Sequence, residues 1–421
     1  MAIRSEPQRG PAKARASRAQ SAPAVGPHAA GAVVFGSDYR ALGVVRSLGR
    51  RGIPVLVLSG SDDTLAAKSR YATGVVPLPE GGDPTLLLCE LAERFEIVDW
   101  VLFPTADESA AVVARSYNVL AERFLLASPP WETFRWAYDK RLSYELATRA
   151  GVPHPRTWSV CSAEEAARLD LGFPVIIKPA VKESFNALTV AKAWRVDSRR
   201  ELQQRFTEAV ELLPVELLMI QELIPGSGKD GDGEQLSYAA LCRRGAPLAQ
   251  LVARRTRQYP PDFGRASTFV ETIEDPEVEE MSKRLLRHLG LDGLVEVEFK
   301  RDPRDGELKL LDINPRVWGW HTLAQRSGVD FPYLAYRLAR GQEITERSHA
   351  RTGERWLRLS TDLPSGIREV LRGNEPLLPY LKTLFSRHES AIFARDDPWP
   401  GVVEFPLLFT TLVRRLRSGT V

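Results

Sequence analysis

The chain has 421 residues, of which 43% are hydrophobic and 26% charged, and its formal net charge is +3. That length accommodates two or three domains, and so small a charge excess gives no footing for a nucleic-acid or membrane-surface partner. No apolar run reaches the roughly 20 residues of a membrane-spanning helix, and the three cysteines, Cys89, Cys161 and Cys242, lack metal-ligand spacing and fit buried thiols in a reducing cytoplasmic compartment.

Residues 1–30 are rich in Ala, Arg, Ser and Pro and have no continuous apolar stretch, so a flexible tail is expected rather than a secretory signal. "GAVVFGSDYRALGVVRSLGRRGIPVLVLSG" follows, at residues 31–60. Two apolar runs flank a helical pattern in which Leu42, Val45 and Leu48 point inward, which predicts a βαβ unit with a parallel sheet. Gly36 lies at the strand-to-helix turn, where a phosphate can sit. The stretch "GSDYRALG" is not G-x-G-x-x-G, however, and the glycine is read as serving a tight turn. "VDWVLFPTADESAAVVARSYNVL" adds another strand and helix, so residues 31–128 form a small α/β domain.

A second domain is predicted over 129–344. "WAYDKRLSYELATRAGVPHPRTWSV" carries a helix that starts near Lys140 and is stopped by Gly151 and Pro153. "FPVIIKPA" is a short buried strand holding Lys178, and "ELLMIQELIPG" is a second one ending at Glu222. "PGSGKDGDGE" lacks the spacing of a P-loop and reads as a long turn. Two hairpins come next, one turning at Arg244–Gly245 and the other at Asp305–Gly306. Strands mixed with helices and late antiparallel hairpins make this domain α+β. Residues 345–421 form a proline-dotted extension whose chemistry is not legible, ending in an amphipathic segment expected to pack on the body.

The last hairpin carries the most chemistry. Val295, Val297 and Phe299 alternate with Glu296 and Glu298 on one strand, and Leu311 and Ile313 with Asp312 and Asn314 on the other. Glu298 and Asp312 can therefore converge, with Asn314 beside them. Buried carboxylates require a compensating cation. A hard ion such as Mg²⁺ takes one or two carboxylates and leaves its other positions to water and phosphate oxygens. Arg316, two residues on, offers a fork suited to phosphate or carboxylate. Lys140 and Lys178 are placed to clasp the phosphates of one nucleotide, and Glu222 to meet the amino edge of an adenine.

In this order, "FPVIIKPA", "MIQELIPG", "GLVEVEFKRD" and "LKLLDINPRVWGW" resemble the ATP-grasp superfamily, over roughly residues 31–340. The likeness is greatest to its carboxylate–amine ligase branch, near carbamoyl-phosphate-synthase-like and D-aspartate-ligase-like members. The resemblance implies an N-terminal Rossmann-like pre-ATP-grasp domain followed by an ATP-grasp fold. It implies ATP with Mg²⁺, or Mn²⁺ in its place, as cofactors. Lys140 and Lys178 would bind phosphates, and Glu222, Leu223 and Ile224 would form the adenine hinge. Glu298, Asp312 and Asn314 would hold the metal, with Glu296 able to take the place of Glu298. Arg316 would stabilise the transferred phosphate. Among the arginines of "ARRTRQYPPDFGRAS", at 253–267, Arg257 is the second catalytic candidate. Trp318, Trp320 and His321 line the acceptor pocket or belong to the core. Two features depart from the family pattern. The phosphate-covering segment "AVKESFNALTVAK" has no glycine, though Lys182 and Ser184 can meet phosphate, and Asp312 stands where glutamate is common.

The implied reaction activates a carboxylate as an acyl phosphate and joins it to an amine; the expected partners are small molecules, with a homo-oligomer as a compatible assembly. Three other readings stay open. The same site can activate bicarbonate, the chain can bind ATP as a regulatory or scaffold module with little turnover, or the first domain can serve a dinucleotide-dependent oxidoreductase.

Overall fold

The computed structural model describes residues 30–60, 64–79, 81–181, 186–226, 233–259, 266–345 and 348–405. The expected N-terminal tail up to residue 29 lies outside the described residues, as do Lys182, Ser184 and the end of the C-terminal amphipathic segment from residue 406.

The first domain is a five-stranded parallel sheet in the order Gly74–Pro77, Val55–Ser59, Ala32–Phe35, Trp100–Pro104, Phe124–Leu126. Its three central strands are buried along their whole length. That is why they appear in the sequence as unbroken apolar runs rather than alternating ones. Helix Tyr39–Gly49 follows the first strand and buries Leu42, Val45 and Leu48. At the turn between them Gly36 has φ +134°, and a Cβ there would lie 2.2 Å from Thr105 Oγ1. The Asp38 carboxylate caps the helix, accepting from the N–H groups of Arg40 and Ala41. The helix end already holds an anion, and glycine serves the tight turn, as the sequence suggests.

The second domain contains two sheets. A small antiparallel one runs Thr157–Trp158, Leu218–Glu222, Val175–Pro179, Trp194–Val196. A large one runs Leu308–Asn314, Gly293–Arg301, Gln235–Arg243, Ala246–Tyr259, Ala266–Ile273. Both hairpins turn where the sequence places them. Arg244 and Gly245 have φ of +50° and +73°, the pair of positive values a two-residue hairpin loop favours.

The extension after 344 does not stand apart from this sheet. Strand Arg355–Leu357 pairs antiparallel with Ala266–Ile273, and Glu389–Ser390 then pairs with Arg355–Leu357. Strand Ser348–His349 pairs with Ala246–Tyr259. Beyond the sheet, residues 392–397 reach back to the first domain. Arg46, buried in helix Tyr39–Gly49, donates to Asp397 Oδ2 at 2.9 Å and to the carbonyls of Ile392 and Asp397 at 2.6 and 2.7 Å. One apolar core consequently runs through all three parts, from Val34 and Leu42 through Trp318 and Trp320 to Trp356 and Ile392.

Of the three free cysteines only Cys242 is buried. Cys89 is half-buried and Cys161 is exposed, so a buried thiol is not found there. Cys161 stands in the surface connection between strand Thr157–Trp158 and helix Ala163–Arg168. No helix among the described residues is long and apolar enough to cross a membrane.

Candidate active site

Strands Gly293–Arg301 and Leu308–Asn314 place Glu298 opposite Asp312 and Glu296 opposite Asn314. Their other faces, with Val295, Val297, Phe299 and Ile313, enter a buried apolar cluster. The polar face therefore turns into a cavity of about 480 Å³ between the two sheets and the first domain. Among the described residues, eight cationic and five acidic side chains line this cavity. An excess of positive charge in a confined space favours a polyanionic occupant.

Each cation is set by a different element. Lys140 opens helix Lys140–Arg149, whose first N–H donates to Ala180 O at 3.0 Å, so the helix start is tied to the small sheet. Its ammonium meets Asp312 Oδ1 at 2.7 Å. Burial opposes that charge, but Asp312 together with Tyr144 and Asp107 outweighs burial, so the Lys140 pKa is raised. Lys178 comes from strand Val175–Pro179, and among the described residues its acceptors are neutral, Gln221 Oε1 at 3.2 Å and Tyr144 Oη at 3.5 Å. Burial, with Lys140 nearby, pushes its pKa down to about 7. Lys192 also faces the cavity, and burial lowers its pKa to about 8.

Arg255 Nη2 approaches Glu298 Oε2 at 3.1 Å and Glu296 Oε1 at 3.9 Å. Glu296 also accepts from Trp320 Nε1 at 2.8 Å. The two glutamates titrate apart. Burial drives both upward, but Arg255 pulls Glu298 well below the usual range, while the charge on Glu298 pushes Glu296 further up. Arg316 is bound through Nε to Asp107 of the first domain, and its Nη2 donates to Asn314 Oδ1 at 3.1 Å. Asn314 Nδ2 in turn donates to Glu298 Oε1 at 3.0 Å.

This donor set fits a hard divalent cation. Glu298 and Asp312 present carboxylate oxygens side by side, while the amide oxygen of Asn314 is taken by Arg316, so Asn314 braces Glu298 rather than standing free as a donor. Among the described residues no group of three His, Cys, Asp or Glu forms a closed metal cage. Two carboxylates with open positions suit Mg²⁺ shared with phosphate oxygens.

Glu222, Leu223 and Ile224, the expected hinge, line the cavity. The Glu222 carboxylate is engaged, accepting from Arg156 N at 3.0 Å and Arg304 Nη2 at 3.2 Å, and Lys300 Nζ donates to Ile224 O at 3.0 Å.

Arg257 is the candidate that the structure moves away. It does not line the cavity, and instead binds Asp362 of the extension through Nε and Nη2, each at 2.9 Å, and Thr383 Oγ1 at 2.9 Å. In a regular strand Arg255 and Arg257 would share a face. Here Arg255 pairs with Val270 and Arg257 with Phe269, and this irregularity turns them to different sides. Arg255 occupies the position foreseen for Arg257. Tyr39, Arg40, Asp107 and Arg358 also reach the cavity without having been foreseen, because they arrive from the first domain and the extension. Trp318 is wholly core, Trp320 is packed in the core and also lines the cavity, with its N–H turned to Glu296, and His321 is buried with Nδ1 at 2.9 Å from Trp318 O.

Residues 233–361 match a family model described as ATP-grasp in the biosynthetic pathway with Ter operon. The carbamoyl phosphate synthase large chain of Methanothermobacter thermautotrophicus is 22% identical over 321 residues, which is 73% of this chain and 29% of that protein. The chain thus spans less than a third of that relative. The D-aspartate ligase of Enterococcus faecium is 22% identical over 300 residues, covering 68% of this chain and 70% of the relative. In structure, the Campylobacter jejuni biotin carboxylase in its β-γ-ATP complex superposes with a TM-score of 0.61 at 16% identity, over 77% of this chain and 74% of that one. Residues 233–361 thus match an ATP-grasp family, and the chain shares the fold of that biotin carboxylase, with a parallel α/β sheet ahead of the matched segment.

Proposed function

We propose that the protein is an ATP- and Mg²⁺-dependent ligase that activates a carboxylate as an acyl phosphate and joins it to an amine. The observation that carries this reading is the cavity itself. Glu298 and Asp312 face each other across one strand pair, with Lys140, Lys178, Arg255 and Arg316 turned into the same space. Phosphoryl transfer needs positioning and charge neutralisation rather than covalent work by the protein, and this set of groups is suited to that.

In the proposed reaction Lys140 and Lys178 bind the phosphates, and residues 222–224 seat the adenine. Glu298 and Asp312 hold Mg²⁺, with Asn314 bracing Glu298. The ion, when bound, neutralises charge between the phosphates. A carboxylate oxygen attacks the γ-phosphorus and ADP leaves. The amine then attacks the acyl carbon and phosphate leaves. Arg255 and Arg316 lie where the developing charge needs guanidinium donors. Arg257 has no part in this, since its charge is spent on Asp362.

The test is to incubate the protein with Mg²⁺, ATP and pooled amino acids and small carboxylic acids, following ADP, AMP and phosphate. ADP and phosphate should form with particular pools only, and Asp312→Ala should lower turnover by at least about 100-fold, the scale of losing one preorganised charge contact. AMP as product would replace the acyl phosphate with an adenylate. Tight ATP binding with no product from any pool would favour a regulatory ATP-binding module. ADP formation that requires bicarbonate alone would move the chemistry to carboxylation.

A further inference from the structure

Beyond the metal carboxylates, on the side of Arg316 and Asp107, the cavity wall is made by residues with no task in binding ATP. Tyr39 and Arg40 come from the first domain, and Arg358 comes from the extension. Arg358 stands directly after strand Arg355–Leu357, and its backbone N–H donates to Thr268 O at 2.9 Å, so the sheet fixes where it starts. Its guanidinium lies 4.0 Å from the centre of the Tyr39 ring. Its Nε is buried and has no hydrogen-bond partner among the described residues. The carboxylate within electrostatic reach, Glu404, is itself buried, and burial raises its pKa, which makes it a weak counter-charge. Arg40 differs, because its Nε donates to Asp38 Oδ2 at 2.6 Å.

A buried cationic donor without an acceptor costs free energy that an incoming anion can recover. The Tyr39 ring holds the guanidinium plane without using its hydrogen-bonding edge. The fork thus remains available for a bidentate carboxylate. We propose that Arg358, with Arg40 beside it, is a carboxylate-binding subsite, and that the substrate at this end of the cavity is an amino acid or short peptide whose own carboxylate stays free. The assignment rests on the ligase reading in placing the amine towards the activated carboxylate. Docking of the substrate's free carboxylate on Arg358 orients that amine, and the extension thereby becomes a specificity element of the site.

Binding tests this separately from turnover. With saturating MgADP, thermal shifts are recorded for each common amino acid, in both enantiomers, and for each matching carboxamide. At least one free acid should raise the melting temperature while its carboxamide does not. Arg358→Met should weaken that acid by roughly 10- to 100-fold, the worth of one charge-assisted hydrogen bond. It should leave the shift caused by MgADP unchanged, which also shows that the variant is folded, and Arg358→Lys should recover part of the loss. Equal shifts from acids and carboxamides, no shift from any acid, or full retention in Arg358→Met would each overturn the subsite. ADP release is then measured with the acid that binds. Binding through Arg358 without ADP from any co-substrate pool would sink the ligase reading and leave the subsite standing. ADP formation with simple amines, unaffected by Arg358→Met, would do the reverse.

Discussion

Lys178 has been placed where its charge is costly until a ligand arrives. Among the described residues the ammonium meets an amide oxygen and a phenol, and burial brings its pKa from 10.5 to about 7. Between those two pH values the unfolded chain holds a proton that the folded chain lacks. Stability therefore rises with pH across that window, and the cost of charging Lys178 is fully present below about 7. Polyphosphate supplies the missing counter-charge, so nucleotide binding near pH 8 should take up a proton. Calorimetric titration with ATP in buffers of different ionisation enthalpy will detect that uptake, and Lys178→Met should reduce it, leaving the share of Lys192, while weakening ATP by about tenfold or more. The same variant should melt about 1–3 °C higher than the nucleotide-free parent at pH 6.5, a range set by how stability changes translate in larger domains. The gain should vanish above the pKa of an unfolded lysine. A parent that takes up no proton would mean that Lys178 is already charged in the empty site.

At the level of single elements, strand Ala246–Tyr259 does two jobs because its register slips. Arg255 serves the cavity and Arg257 anchors helix Leu359–Leu371, where Asp362 is buried and also accepts from Thr268 Oγ1 at 2.7 Å. Removing one member of a buried ion pair strands the other, which typically costs about 3–5 kcal/mol. Arg257→Ala should accordingly lower the unfolding free energy by about that amount in denaturant titration. Arg257→Met with Asp362→Leu should recover most of it, because neither charge is then left alone. A catalytic Arg257 would give the opposite pattern, with lost turnover at unchanged stability. The sequence could not reveal this division. Alternation of residue types shows that 253–259 is a strand, but an inserted residue leaves no mark on it, so Arg255 and Arg257 look equivalent. The late hairpin was legible because alternation from Val295 to Glu298 and from Leu311 to Asn314 marks one polar face on each strand, even though the ladder slips between Glu298 and Phe299, and that slip sets Glu298 opposite Asp312. The strands of the extension have two or three residues, too few for any period, and they form by adding to strands already in place, Arg355–Leu357 to Ala266–Ile273 and Ser348–His349 to Ala246–Tyr259. Arg358 and Tyr39 belong to the cavity through tertiary packing alone.

Over the whole molecule, the extension is the part that closes the structure. It covers the sheet edge at Ala266–Ile273, buries Trp356 in the core shared with the first domain, and clamps that domain through Asp397. Asp397 Oδ2 also accepts from Ser69 Oγ at 2.6 Å, so a single carboxylate ties two segments of the first domain to the chain's last third. A polar network with every member satisfied rigidifies its surroundings, and a partly satisfied one destabilises them. A chain ending at residue 344 would lose all of these contacts at once. Arg46 would be left in an apolar surrounding without its acceptors, Arg257 would lack Asp362, and the edge strand would expose a row of unpaired backbone groups. Such a chain should show no cooperative calorimetric transition and should aggregate, whereas the full chain should melt in one transition seen alike by near-UV and far-UV circular dichroism. A less drastic cut separates closure from bulk stability. Asp397→Asn keeps the shape of the side chain but removes the charge that Arg46 faces, and should lower the melting temperature by about 2–4 °C. If the first domain is held in place chiefly by this clamp, the variant should also raise the KM for ATP, since Asp107, which fixes Arg316, comes from that domain. An unchanged KM beside a lowered melting temperature would mean that the shared tryptophan core, and not the ion pair, sets the distance between the two halves of the cavity.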